Sequence, residues 1–162
     1  VIALEIDRVA LYGTGAANEP LGLHNTAGIG SEAITANNPT FAQVVNMESD
    51  VASANALMGN LAYITGATIR GAMKVRTKDS GSGQFLWGGD NTVNGYPAYM
   101  SNQVEAGDIW FGNWSDCIIG YWSSLDLLVD PYTHSTSGTI RITALQDVDV
   151  AFRHAASYSL GA

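Results

Sequence analysis

The chain has 162 residues with 7 Lys and Arg against 15 Asp and Glu, a net charge of −8, and it is 46% hydrophobic but only 14% charged. That length suits one domain with a real core; the hydrophobic fraction excludes disorder, and the scattered, minority basic residues exclude a module that grips nucleic acid through a cationic stripe. A single cysteine, Cys117, excludes an internal disulfide framework and a multi-cysteine zinc site, and His24, His134 and His154 have no pairwise metal spacing.

Charged residues normally make up about 25% of a globular chain. A surface this neutral, rich in Ser, Thr, Asn and Gly, is expected to be covered largely by something else. No apolar run reaches the length of a membrane span and no basic-then-apolar leader opens the chain. The sequence starts in mid-pattern at Val1 without an initiator Met, so a fragment or processed product is expected.

Residues 1–12 read as a helix: Ile2, Ile6, Val9 and Ala10 share a face, Glu5 and Arg8 lie off it, and Gly13 is placed to end it as a left-handed stop. Residues 13–39 are loop-like, punctuated by Gly13-Thr14-Gly15, Pro20-Leu21-Gly22, Gly28-Ile29-Gly30 and Asn37-Asn38-Pro39. A second helix is expected over 39–58, capped by Asn38 with Pro39 in its first position, with Phe41, Val44, Val45, Val51, Ala52 and Met58 on one face, and ended by Gly59-Asn60. Residues 61–65 read as a strand, and Thr65 is expected to cap a brief helix through Met73. A turn at 78–83 leads into Phe85-Leu86-Trp87, and strand signals follow at 97–101, 109–112, 117–122 and 125–129.

The last strand carries the most information. Through residues 139–153, Ile140, Ile142, Ala144, Val148, Val150 and Phe152 keep one phase, with a bend or bulge expected at Gln146-Asp147. As one extended ribbon this stretch spans about 50 Å, against roughly 20 Å for an ordinary strand. Such a ribbon reaches out of the body.

Signals for catalysis are thin. Gly13-Thr14-Gly15 follows a helix rather than a strand, the wrong context for a phosphate loop. There is no Gly-x-Ser-x-Gly elbow, and Cys117 sits in Asp116-Cys117-Ile118-Ile119, which reads as the start of a buried strand. The three histidines read as loop or strand-end residues. Asp147 and Asp149 share a strand face with Arg141 and Thr143 and read as solvated charge rather than paired catalytic carboxylates or calcium ligands. No catalytic residue, metal or cofactor is expected. The aromatics Phe85, Trp87, Tyr96, Tyr99, Trp110, Phe111, Trp114, Tyr121 and Trp122 crowd one segment, where they can build either a core or an interface.

Several motifs also fall in a familiar order. Leu11-Tyr12-Gly13-Thr14-Gly15 precedes Asn18-Glu19-Pro20-Leu21-Gly22-Leu23, the 39–58 helix, and Lys78-Asp79-Ser80-Gly81. Then come Asn94-Gly95-Tyr96-Pro97, Ile109-Trp110-Phe111-Gly112-Asn113-Trp114, Leu128-Val129-Asp130-Pro131-Tyr132-Thr133 and Gly138-Thr139-Ile140-Arg141-Ile142. This set resembles the C-terminal portion of tailed-bacteriophage major capsid proteins with the Hong Kong 97-type fold.

The resemblance implies an α+β shell subunit that is not an enzyme, with an axial domain (a mixed sheet flanked by helices) at 1–122 and a peripheral ribbon at 123–162 returning to the axial domain. It places the family's N-terminal arm, extended loop and most of its long helix before Val1. It implies identical subunits in pentamers and hexamers as partners, with scaffolding, portal or decoration proteins as further ones, and a virion assembled in the bacterial cytoplasm around double-stranded DNA. Neither sequence-specific nucleic-acid binding nor a membrane is implied. The Lys–Asn cross-link of some relatives is not carried over, because Ser137-Gly138 occupies the asparagine's neighbourhood. The expected subunit contacts are the exposed turn with Gly88, Gly89, Asp90, Asn91 and Asn94, and Arg141 and Arg153 as inter-subunit ion-pair partners. An encapsulin-like nanocompartment shell is the alternative within the fold, and a carbohydrate-binding module the alternative outside it.

Overall fold

In the computed structural model, which describes residues 2–133 and 135–162, the opening helix forms as α1 (Ile2–Tyr12). It buries Val9, Leu11 and Tyr12 at its C-terminal end. Gly13 follows it but is not a left-handed stop. A Cβ there would lie 2.2 Å from the Pro20 carbonyl oxygen, and one at Gly22 would lie 2.3 Å from the Gly13 nitrogen. Both glycines are needed because two backbones touch, joined by the Gly22 N–H donating to the Gly13 carbonyl at 2.8 Å. Glu19 fastens the loop between them: it accepts from the Thr14 N–H at 3.0 Å and from the Arg8 guanidinium at 2.5 Å.

The second helix, α2 (Phe41–Ser53), is shorter at both ends than its apolar stripe suggests. Its cap is Thr40, not Asn38: the Gln43 N–H donates to the Thr40 hydroxyl at 3.2 Å, and the Thr40 N–H donates to the Gln43 side chain at 2.8 Å. It stops at Ser53 rather than Met58 because Asn55 turns left-handed, with φ 56°. The Asn55 N–H then donates to the Ala52 carbonyl and the Ala56 N–H to the Val51 carbonyl, closing the helix end with Ala56 and Val51 both buried. The third helix, α3 (Ala67–Val75), starts at Gly66 with no side-chain cap, since the Thr65 hydroxyl donates instead to the Asp108 carbonyl at 3.1 Å.

Ten strands are described. Six form one mixed sheet: β1 (Gly30–Glu32), β2 (Leu61–Thr65), β3 (Thr92–Val93), β4 (Tyr96–Met100), β5 (Ile109–Asn113) and β10 (Tyr158–Gly161), in the order β1-β10-β5-β2-β4-β3. Every residue of β5 is buried, because the sheet is covered on both faces. Ile109 and Phe111 enter one cluster with Val44, Met47, Val51, Ile69 and Met73 of α2 and α3, while Trp110 enters the other with Leu11, Tyr12, Leu23, Tyr158 and Leu160. Fully buried side chains of this size each contribute about 1.5–3 kcal/mol. The two clusters make the sheet the rigid body on which everything else is mounted.

The remaining strands leave this body as a two-stranded ribbon. β6 (Cys117–Tyr121) pairs antiparallel with β9 (Val148–Phe152), and β7 (Asp126–Asp130) with β8 (Arg141–Leu145). The expected interruption at Gln146-Asp147 is present, so the stretch is two strands rather than one unbroken one. Residues 122–125 face residues 146–147 across the bend, which is clamped by the Trp122 N–H donating to the Asp147 carbonyl at 3.1 Å and the Asp147 N–H to the Ser123 hydroxyl at 3.0 Å. The final strand is then β10, which returns into the sheet parallel to β1 and antiparallel to β5.

Candidate assembly surfaces

The ribbon's sequence places apolar side chains on both of its faces. In β7, Leu127, Leu128 and Val129 are consecutive, so the strand's alternation cannot turn all three inward, and each is 58–59% exposed. On β8, Ile142 is 67% exposed and Leu145 is also open, as are Leu125 just before β7 and Ile140 just before β8. At the bend Trp122 lies over Gly120, where a Cβ would come within 2.9 Å of its ring, yet its outer side stays in solvent. At the tip Asp130 accepts from the Tyr132 and Thr133 N–H groups and the Thr133 hydroxyl, presenting Tyr132 outward. An isolated two-stranded ribbon is marginal in water, and a contiguous open apolar surface marks a contact site.

The ribbon's root is fixed by part-buried polar chemistry. The Ser157 hydroxyl donates to the Asp116 carboxylate at 2.8 Å, the Asn113 amide donates to the same oxygen at 3.2 Å, and the Arg153 N–H donates to the Asp116 carbonyl at 2.9 Å. Because the single Ser157 proton goes to Asp116, the 2.9 Å contact with His154 has the imidazole Nδ1–H donating to Ser157. With His154 donating to Ser157 and Ser157 donating to Asp116, the three side chains brace one another at the foot of the ribbon. Burial pushes the Cys117 thiol up, away from the reactive thiolate. Cys117 is half-buried, at the start of a strand whose Ile118 and Ile119 are exposed, where a buried strand was expected.

A second brace holds α1 to the sheet. The Tyr12 hydroxyl donates to Asp108 at 2.7 Å and accepts from the Trp110 indole at 3.2 Å and the Glu105 N–H at 3.1 Å. Burial raises the pKa of both Tyr12 and Asp108. Glu19, by contrast, is held down to about 2, chiefly by the Thr14 N–H and then by Arg8 and the Thr14 hydroxyl.

The contact residues expected from sequence do not converge. Gly88, Gly89, Asp90 and Asn91 form the turn before β3, with Gly89, Asp90 and Asn91 exposed. Asn91 accepts from the Trp87 indole at 3.2 Å, and Asp90 accepts from the Thr92 hydroxyl at 2.7 Å. Asn94 lies in the two-residue β3–β4 turn, and its amide donates to Glu48 at 2.5 Å. Arg141 is exposed on β8 opposite Asp130, and Arg153 is exposed just beyond β9. Among the described residues neither arginine makes a salt bridge; those formed there belong to Arg8. The aromatic segment divides: Trp87, Trp110 and Phe111 are core, while Phe85, Tyr99, Tyr121 and Trp122 are exposed. Asp147 and Asp149 are exposed, and among the described residues no group of His, Cys, Asp and Glu is arranged to hold a metal. His24 and His154 are exposed, and His134 lies outside the described residues.

Solved structures share this architecture. The capsid of a native GTA particle superposes with TM-score 0.70 at 21% identity, covering 99% of this chain and 62% of that one. A virus-like particle from Pyrococcus furiosus superposes with TM-score 0.67 at 7% identity, covering 99% and 64%. The fold is therefore the α+β capsid fold of the Hong Kong 97 type, as the resemblance implied. Within it, the chain belongs to the phage capsid family, whose model matches residues 1–161. It is 39% identical over 160 residues to the major capsid protein of Halomonas phage phiHAP-1, covering 98% of this chain and 26% of that protein. The chain thus spans about a quarter of the length of the curated relative it matches.

Proposed function

We propose that this chain is the shell-forming part of a phage major capsid protein, whose identical copies assemble as pentamers and hexamers into an icosahedral container for double-stranded DNA in the bacterial host. The observation that carries the reading is the ribbon: Leu127, Val129 and Ile142 on one face and Leu128 and Leu145 on the other are all open, and neighbouring copies in a closed shell would bury such an arm on every subunit at once. Residues 1–122 are the proposed axial part and 123–162 the peripheral ribbon with its return strand. The role is structural rather than catalytic. A nanocompartment shell is the rival within the fold, and the 39% identity to a phage capsid protein favours the phage reading over it.

Negative-stain microscopy of the full-length gene product is the test. Uniform icosahedral particles are expected. A monodisperse monomer at high concentration, with the ribbon in place, overturns the reading.

A further inference from the structure

One edge of the sheet is only partly covered. On one side β2 pairs with Ala98, Tyr99 and Met100 of β4, but on the other side β3 reaches only Tyr96 and Pro97. The Ala98 N–H points outward, since it donates to the Asn91 carbonyl at 2.9 Å. By the alternation of a strand, the Ala98 carbonyl and the Met100 N–H and carbonyl point the same way, and among the described residues no strand meets them. Natural edges are blunted by charge, proline or a bulge; Ala98, Tyr99 and Met100 supply none, and Tyr99 and Met100 are exposed.

A cleft of about 490 Å³ runs along this edge, lined by Arg70, Trp87, Asn91, Tyr99 and Met100 among others. Arg70, on α3, stacks its guanidinium 5.3 Å from the centre of the Trp87 ring, and its buried Nε has no hydrogen-bond partner. Among the described residues it makes no salt bridge, although acids outnumber bases by 15 to 7 in the chain. Asp90, the acid lining the same cleft, is turned to Thr92. The cleft therefore offers a strand ladder beside an unmatched cation.

We propose that an extended, carboxylate-bearing segment of a second copy of this chain adds to the β4 edge at Ala98–Met100 and pairs its carboxylate with Arg70. Charge complementarity selects the occupant: with 15 acids against 7 bases, a copy of this chain carries more carboxylates than its own bases can pair. The proposal rests on the reading that copies assemble.

Hydrogen exchange on the full-length protein, as shells and as dissociated subunits, tests it. The Met100 amide is expected to exchange about tenfold or more slowly in shells, while the Tyr99 amide, which faces β2, is protected in both. Arg70→Glu is expected to abolish the slowing at Met100 and Arg70→Lys to keep most of it; Arg70→Gln replaces the glutamate variant if that one yields no shells. Equal Met100 exchange in shells and subunits overturns the proposal and leaves assembly standing. So does slow exchange already present in subunits, slowing only when another virion protein is added, or slowing indifferent to Arg70. If wild-type protein forms no shells, the assembly reading fails and this inference with it.

Discussion

Replacing Leu128 and Ile142 together by Thr separates the ribbon's contribution to the subunit from its contribution to assembly. Threonine keeps the strand preference and removes about two methylene equivalents per site, about 1.6 kcal/mol if fully buried. Leu128 is 59% exposed and Ile142 67% exposed, so the lone subunit has realised less than half of that at either position. About 0.6 kcal/mol per site is then lost from the fold, and about 1 kcal/mol per site from the contact that covers the ribbon. The double variant should raise the concentration needed for assembly about 30-fold, since 1.4 kcal/mol is a factor of ten, while the subunit loses about 1.2 kcal/mol of unfolding free energy. Sedimentation velocity across a concentration series reads the first quantity and urea unfolding of dissociated subunits the second. Unchanged assembly, or a loss confined to subunit stability, would refute the reasoning.

Tyr12→Phe leaves the Trp110 indole and the Glu105 N–H without their acceptor and should destabilise the fold by about 1–3 kcal/mol, read by urea unfolding. Thr40→Ala removes the cap of α2 and should cost about 1 kcal/mol on the same assay, whereas Asn38→Ala should leave stability near wild type. Glu19 has a folded pKa below its unfolded one, so its contribution is present above its unfolded pKa and is lost as pH falls through about 2; Glu19→Gln should flatten the acid limb of the stability profile. Asp108 has the opposite sign, its folded pKa being raised, so its contribution is full below its unfolded pKa and declines as pH rises through the folded one, and Asp108→Asn should remove that decline. Cys117, held as a thiol by burial, should react with a disulfide reagent more slowly than a free cysteine at neutral pH; equal rates would contradict the placement.

Much of this molecule is legible in its sequence because local signals and tertiary packing agree there. The stripe of α2, the apolar run of β5 and the interruption at Gln146-Asp147 each predict the element that forms. The helix ends depart from the sequence expectation where a stronger local partner competes: Thr40 has Gln43 three residues on, and Asn55 takes the left-handed turn in place of Gly59. β1 and β10 were invisible for a different reason. Gly30–Glu32 has no strand composition, and Tyr158–Gly161 is buried throughout, so neither alternates; both exist because the sheet has places for them.

The proposed contact surface is only partly legible in the sequence. Gly88–Gly95 reads as an exposed turn, and Gly89, Asp90 and Asn91 are exposed, with the Asn91 and Asn94 side chains bonded to Trp87 and Glu48. The signal for the ribbon surface is the run Leu127-Leu128-Val129, whose parity puts apolar groups on opposite faces of a strand with only one partner. Parity is a stronger sign of a covered arm than an isolated Arg141.

The density of an assembled particle at side-chain resolution tests the central claim most directly. Leu127, Leu128, Val129 and Ile142 should lie against a neighbouring copy with both ribbon faces dry. A particle in which the ribbon folds onto its own subunit, or stands in solvent on both faces, contradicts it.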